Sequence, residues 1–321
     1  MKFLFLMDPL ETIKMEKDTS FVLMLGAHKK KHQIFFLPEG GIHSINNRFQ
    51  FSVTSVKPQL NKKTPLLIGE HRVLNDRDVD AIFIRTDPPF AEEYLLHTWL
   101  LDRLPSHIFL INRPSGIRTV NEKIWGSQFQ NFIPKTCISR SKEILLNFIS
   151  KQKDVIAKPV NGFGGQSVFR IRQGDTNTNV ILETLTQSYR KTIILQEYLA
   201  DSNKGDKRIL LLNGEPLGAL LRVHGKDDHR NNLFAGGKAK KTNITKKELL
   251  IIAHLKPLLR ELGLFFVGLD FIGDQLIEVN VTSPTGMQEM NRLNHLHLED
   301  RVIDFVEKCV EDSKAKVKIQ H

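Results

Sequence analysis

Residues Val267-Gly268-Leu269-Asp270-Phe271-Ile272-Gly273-Asp274-Gln275-Leu276-Ile277-Glu278-Val279-Asn280-Val281-Thr282-Ser283-Pro284 set two apolar runs on either side of a Gly-Asp pair. That is the pattern of a β-hairpin. Glu278 and Asn280 stand two apart on the second run, so their side chains leave one face of a strand. With the turn centred on Asp274, residue 270 lies opposite residue 278, and Asp270 joins that face. A loop with an odd residue count gives this pairing, whereas a two-residue loop turns Asp270 to the other side. Three hard oxygen ligands on one patch suit a divalent cation, and Mg²⁺ is usually held by one or two carboxylates together with substrate phosphates. Such a patch calls for a phosphate cradle elsewhere in the chain.

Residues Val155-Ile156-Ala157-Lys158-Pro159 read as a short apolar strand ending in a lysine. Asn161-Gly162-Phe163-Gly164-Gly165-Gln166-Ser167 follows, and then a second strand, Val168-Phe169-Arg170-Ile171. Glycines let a backbone approach an anion closely, and successive amide N–H groups form a concave nest for phosphate oxygens. Lys158 adds a point charge. The stretch is not the P-loop of nucleotide hydrolases, because no Gly-Lys-Ser/Thr follows the glycines and both flanks read as strands. Alone it would be no more than a hairpin turn; beside an acidic hairpin it points to a nucleotide with its metal.

A chain of 321 residues exceeds the usual size of a single core, so two or three domains are expected. No apolar run approaches ~20 residues, the length needed to span a bilayer as a helix. Phe3 to Met7 stops at Asp8-Pro9, too short for a signal-peptide core and better read as a first strand, which predicts a cytoplasmic protein. Cys137 and Cys309 have neither metal-ligand nor redox spacing, in keeping with a reducing compartment. The net charge of +10 raises nucleic-acid binding. The lysine clusters at Lys29-Lys30-Lys31, Lys238 to Lys241 and Lys314 to Lys318 do not alternate with aromatics as a stacking platform would. They read as solvated surface, with a positive field that helps to gather anionic small molecules.

The first ~115 residues alternate strands and helices. Met1 to Met7, Gln33 to Leu37 and Ala81 to Arg85 read as strands; Asp18-Thr19-Ser20 caps a helix to about Lys31, and another runs from about Glu92 to Leu104. The pattern predicts a parallel, doubly wound sheet. Residues about 45 to 78 lack clear periodicity and read as strand and loop. Asn112-Arg113-Pro114-Ser115-Gly116 punctuates the chain as a first boundary. A helix is then expected to carry Lys123, with others near Asn177 to Tyr189, Lys246 to Leu262 and Glu299 to Glu311. Thr192 to Leu199 reads as a strand leading to a second boundary, and the remainder as an antiparallel sheet.

Over essentially its whole length the chain resembles the ATP-grasp carboxylate–amine ligases, and within them the bacterial glutathione synthetase family. The resemblance rests on Met7-Asp8-Pro9 with Asp18-Thr19-Ser20-Phe21, Arg85-Thr86-Asp87-Pro88-Pro89-Phe90, Asn121-Glu122-Lys123, and Lys158-Pro159 with its glycine loop. Gly205-Asp206-Lys207-Arg208, Asn213-Gly214-Glu215-Pro216 and Gly268 to Pro284 complete it. It implies an α/β chain, α+β in its C-terminal part, with an ATP-grasp fold preceded by a Rossmann-like N-terminal domain. The divisions are 1–116 for that domain, 117–199 for a small domain with the glycine loop, and 200–321 for the domain with the metal site and a mobile loop at 225–238.

The resemblance also implies roles. Lys123 and Lys158 grip ATP phosphates together with Gly162, Gly164, Gly165, Gln166 and Ser167; Glu197, Tyr198 and Leu199 form the hinge whose backbone reads adenine, and Asp206 lies near ribose. Arg208 and Arg222 face the transferred phosphoryl group and acyl intermediate. An arginine on a strand is otherwise an ordinary ion-pair partner. Asp8, Ser20, Arg85, Arg230, Thr282 and Ser283 fall on the substrate side. Asp270, Glu278 and Asn280 hold Mg²⁺, with Mn²⁺ as the alternative. The loop departs from the family at Arg230-Asn231-Asn232, where Arg-Gly-Asn is usual, and at Phe234. The implied reaction joins γ-glutamylcysteine to glycine with ATP as co-substrate, in a homotetramer without nucleic-acid or membrane partners. Another ATP-grasp ligase would keep the lysines, glycine loop and hairpin but need not keep Arg85 to Phe90, and a basic nucleotide- or RNA-binding module would bind without turnover.

Overall fold

A computed structural model describes residues 1–162, 164–223 and 237–319, with side chains of the final helix to Ala315. Residues 224–236, Arg230 included, Phe163 and the last two residues lie outside the described residues.

Three sheets organise the chain. The first contains β1 (Lys2–Leu6), β2 (Gln33–Leu37), β3 (Ile42–Ile45), β4 (Arg48–Pro58), β5 (Leu66–Asn75), β6 (Ala81–Ile84) and β7 (Phe109–Ile111). Their order is β3-β4-β2-β1-β6-β7, with β5 paired to β4. The parallel expectation holds for β2-β1-β6-β7. It fails for β3, β4 and β5, which are antiparallel. The stretch read as strand and loop contains the longest strand pairing of this sheet, Gln50 against Asn75 to Pro58 against Leu66. β5 is solvent-exposed on both faces over most of its length, so no two-residue periodicity marks it. Helix α1 (Thr19–Lys29) begins where Asp18 accepts the Phe21 N–H at 2.8 Å, as a side-chain cap should. Helix α2 (Glu92–Leu101) follows β6, and α3 (Pro114–Thr119) follows β7.

The second sheet, ordered β10-β9-β11-β8, is antiparallel. It contains β8 (Thr136–Ser139), β9 (Asp154–Pro159), β10 (Phe169–Arg172) and β11 (Ile193–Glu197), with helices α4 (Lys142–Gln152) and α5 (Thr178–Thr186). The third sheet, ordered β14-β13-β12-β15-β16, is also antiparallel. Its strands are β12 (Asp206–Leu212), β13 (Glu215–Val223), β14 (Lys238–Lys240), β15 (Phe266–Ile272) and β16 (Gln275–Asn280). Helices α6 (Lys246–Glu261), α7 (Met287–Asn294) and α8 (Leu298–Ile319) complete the chain.

The cores explain the division of labour. Leu4, Leu6, Phe51 and Ile82 of the first sheet pack in one cluster with Leu211, Leu269 and Val279 of the third. A second cluster joins Phe3, Phe5 and Met24 to Leu210, Leu220 and Val306. The second sheet has a smaller core of its own, built from Leu145, Ile149, Val155, Ala157, Ile171, Leu182, Ile193 and Leu195. Lys29 and Lys30 do not form a free basic surface: Lys29 pairs with Glu299, and Lys30 with Asp304 and Glu307 of α8. Among the described residues no helix is long and apolar enough to cross a membrane.

Candidate active site

A cavity of about 600 Å³ is lined by residues of the second and third sheets. The acidic hairpin forms one wall. Its connection is the two-residue Gly273-Asp274, with Ile272 opposite Gln275 and Phe271 opposite Leu276. This corrects the odd-loop expectation. One extra residue, Ile277, bulges before Asp270 meets Glu278, and a bulge restores the facing that a two-residue turn would reverse. Asp270, Glu278 and Asn280 therefore all line the cavity.

Strand register then sets the partners of each charge. Arg208 lies opposite Asp270 across β12–β15, and Asp206 lies opposite Arg222 across β12–β13. Asp206 and Arg208 are two apart on β12 and share a face. The outcome is a buried ladder. Arg222 is bidentate on Asp206 at 2.8 and 2.6 Å and reaches Asp270 Oδ2 at 3.0 Å. Arg208 donates to both Asp270 oxygens, Nη2 to Oδ2 at 2.8 Å. Burial alone would raise the Asp270 carboxyl, but Arg208 and Arg222 outweigh it and hold the group well below the usual carboxylate range. The Asn280 Nδ2 donates to Gly268 O at 3.2 Å and Asp270 Oδ2 at 3.3 Å, which leaves its side-chain oxygen as the ligand atom.

The opposite wall is cationic. Lys158 is buried on β9, where its ammonium donates to Gln196 Oε1 at 3.0 Å, and Gln196 donates in turn to Thr136 Oγ1 at 3.0 Å. Burial lowers the Lys158 pKa, while Glu278 across the cavity opposes that shift. Lys123 lies in a turn ahead of the short 3₁₀ segment Trp125–Gln128 rather than on a helix. Asn121 Oδ1 accepts the N–H groups of Lys123 at 3.1 Å and Ile124 at 3.0 Å, closing an Asx turn that competes with helix. The Lys123 ammonium donates to Gly162 O and lies 3.9 Å from Glu278 Oε1. Gly164 and Gly165 have φ of +63° and +75°, a region that favours glycine, and a Cβ on Gly164 would meet nothing within 4 Å. Gly162, Gly164, Gly165 and Gln166 line the cavity; Ser167 does not.

Glu197, Tyr198 and Leu199 line the far end. The N–H groups of Glu197 and Tyr198 are committed to Lys135 O at 2.9 Å and Asp154 O at 3.0 Å. The Arg170 guanidinium, paired with Asp154, stacks 3.4 Å above the Tyr198 ring.

Thr282 and Ser283 line the cavity, whereas Asp8, Ser20 and Arg85 are not among its lining residues. Arg85 donates to Ser20 Oγ at 3.0 Å and Pro284 O at 3.1 Å. Asp8 accepts the Asp87 N–H at 2.8 Å, and Ser283 donates to Asp87. Burial raises the Asp87 carboxyl against the influence of Ser283 and Arg85. Sequence reasoning missed Gln196 and Glu122, which orient the two lysine-bearing segments, and Asn112. The buried Asn112 side chain donates to Phe266 O and Val281 O, each at 2.8 Å, and accepts the Phe266 N–H at 2.7 Å. The Asn-Glu-Lys tripeptide was the one signal for Glu122; nothing local marks the others.

A glycine hairpin and a lysine on one sheet, with a second lysine on a neighbouring turn, facing an acidic hairpin on another sheet, is the arrangement of an ATP-grasp ligase, and solved structures agree in fold. D-cycloserine synthetase DcsG superposes with a TM-score of 0.66 at 12% identity, covering 95% of this chain and 99% of that one. The ATP-grasp ligase PsnB, complexed with precursor peptide PsnA2 and AMPPNP, gives 0.62 at 12% identity, covering 96% and 98%. The chain belongs to the prokaryotic glutathione synthetase family: a model of that family's N-terminal domain matches residues 1–118 and one of its ATP-grasp domain matches residues 122–295. The glutathione synthetase of Nostoc sp. is 38% identical over 318 residues, covering 96% of this chain and 98% of that protein. That of Escherichia coli strain K12 is 35% identical over 303 residues, covering 94% and 96%. ATP-grasp ligases use ATP with a divalent cation.

Proposed function

We propose that this chain joins γ-glutamylcysteine to glycine at the expense of ATP, forming glutathione, ADP and phosphate through an acyl phosphate. The observation that carries the reading is the single cavity in which Lys123, Lys158 and the glycine hairpin face Asp270, Glu278 and Asn280, in a chain of the glutathione synthetase family.

A carboxylate is a poor acyl donor because its leaving group would be oxide. Transfer of the γ-phosphoryl group to a carboxylate oxygen of the dipeptide makes phosphate the leaving group, and the glycine amine then attacks the acyl carbon. The protein's part is positioning and charge stabilisation. Lys158 and Lys123 hold the phosphate oxygens, and Arg208 and Arg222 face the charge that moves during transfer. The hinge at Glu197 to Leu199 and Asp206 take the nucleoside. Thr282 and Ser283 contact substrate, with Asp8, Ser20 and Arg85 bracing that wall.

The donor set fits a hard divalent cation: two carboxylates and an amide whose nitrogen is turned inward by Asp270 and Gly268. Asp270, Glu278 and Asn280 would hold Mg²⁺, which when bound neutralises phosphate charge. Three units at 1–116, 117–199 and 200–321 divide these tasks, and the separate core of the second sheet supports the middle one. The two cysteines without metal or redox spacing support a cytoplasmic setting, and the family supports a homo-oligomer. The purified protein with MgATP should release ADP when both γ-glutamylcysteine and glycine are present, and glutathione should appear in equal amount. ADP release that needs a different acid or amine, or none at all, would overturn the assignment.

A further inference from the structure

Glu122 joins two parts of the site that are remote in sequence. Its Oε1 accepts three hydrogen bonds, from Val281 N at 2.9 Å, Thr282 N at 3.1 Å and Thr282 Oγ1 at 2.9 Å. Its own carbonyl accepts the Val279 N–H at 2.9 Å. The turn that contains Lys123 is thus stitched alongside the end of β16, which carries Glu278 and Asn280 just before the stitch and leads to Ser283 just after it. The Thr282 hydroxyl, with its proton spent on Glu122, is also fixed in rotation.

Lys123 is next in the chain. Its side chain is long and flexible, so where its ammonium can act depends on where its backbone is anchored. Asn121 shapes the turn, but the bonds to Glu122 set the distance between that turn and the acidic strand. A displacement of about 1 Å at a reacting centre can cost about a hundredfold in rate.

We propose that Glu122 is a positioning residue for phosphoryl transfer, holding Lys123 at its working distance from the Glu278–Asn280 edge; the proposal rests on Lys123 binding ATP phosphate. A residue that only stabilises the fold would lower the unfolding temperature and leave the kinetics of the folded protein alone. The test is therefore a double-mutant cycle in kcat/KM for ATP with E122A, K123A and the double variant, measured well below each unfolding temperature. E122A should lower kcat/KM by about 10- to 100-fold, because the turn carrying Lys123 loses its tie to β16 and a displacement of about 1 Å at a reacting centre costs about a hundredfold. In the K123A background the same change should cost less than about threefold, because the lysine it positions is gone. E122Q should restore most of the loss, since an amide oxygen can accept the same three bonds. Where E122A does not fold, E122D, whose carboxylate falls one methylene short, takes its place with the same expectation. Additive losses, or a folded E122A or E122D with the kinetics of the parent, would overturn the proposal and leave Glu122 a structural tie. Parental kinetics in K123A alone would overturn the phosphate role of Lys123, an outcome distinct from additivity.

Discussion

The two walls of the cavity manage their charges in opposite ways. On the third sheet, Asp270 and Asp206 are already matched by Arg208 and Arg222, so the ladder is close to neutral before any ligand arrives. On the second sheet, Lys158 is buried against a neutral partner, Gln196, with no carboxylate paired to it in a hydrogen bond. Glu278 belongs to the acidic wall but resembles Lys158: its nearest cation, Lys123, is 3.9 Å away, beyond hydrogen-bond range. Lys158 and Glu278 would thus meet phosphate and metal without a close counter-charge of their own, whereas Asp270, Arg208 and Arg222 would meet them from within a matched, buried frame.

That contrast orders the expected effects. The largest belongs to Glu278→Gln, which removes a charge whose one recorded ion pair, to Lys123, is long at 3.9 Å. Turnover should fall by about 10²–10³-fold at limiting Mg²⁺, the scale of losing one preorganised electrostatic contact, and recover in part as Mg²⁺ is raised. Parental turnover across a Mg²⁺ titration would place the metal elsewhere.

Arg222→Ala comes next. If the guanidinium follows the phosphoryl group as it transfers, kcat should drop by about 10²-fold with KM for ATP changed less than about threefold. A normal kcat with a lowered unfolding temperature would make Arg222 purely a rung of the ladder.

On the other wall, Gln196→Leu keeps the Lys158 charge but removes its orienting acceptor. The affinity for ATP should weaken by about tenfold, matching about 1–1.5 kcal/mol for a hydrogen bond, and less than in Lys158→Met. Unaltered ATP affinity in equilibrium binding would show that Lys158 needs no support.

The smallest effect concerns acid stability. The Asp270 pKa is depressed in the folded protein, so its contribution is present above the ordinary carboxylate value and is lost as pH falls through the folded value. The unfolding temperature should decline below about pH 4. Asp270→Asn should show a shallower decline over that window, and equal slopes would assign acid sensitivity to other carboxylates.

Much of this was legible in the chain because it is local. The Asp18 cap, the strand–glycine–strand hairpin at 155–171 and the pairing of Asp270 with Glu278 all depend on neighbours within a few residues to about fifteen. The means of that last pairing was not legible: the odd loop expected from spacing is a two-residue turn plus a bulge at Ile277. A bulge leaves no mark in an apolar run. β5 escaped notice for the converse reason, since an edge strand with both faces in solvent has no alternation to read. Lys123 was expected on a helix because its surroundings are compatible with one, and the hydrogen bonds from Asn121 decide for a turn.

By itself the sequence determined the periodic elements, the glycine cradle, the oxygen ligand set and the family resemblance, since periodicity, backbone freedom and ligand hardness belong to the residues wherever they are placed. Only the tertiary structure decided which charge meets which. Arg208 faces Asp270 across 62 residues, and Glu122 reaches Thr282 across 160. Strand register and burial choose those partners, because a side chain removed from water takes its counter-charge or hydrogen bond from whatever the packing brings within about 3 Å.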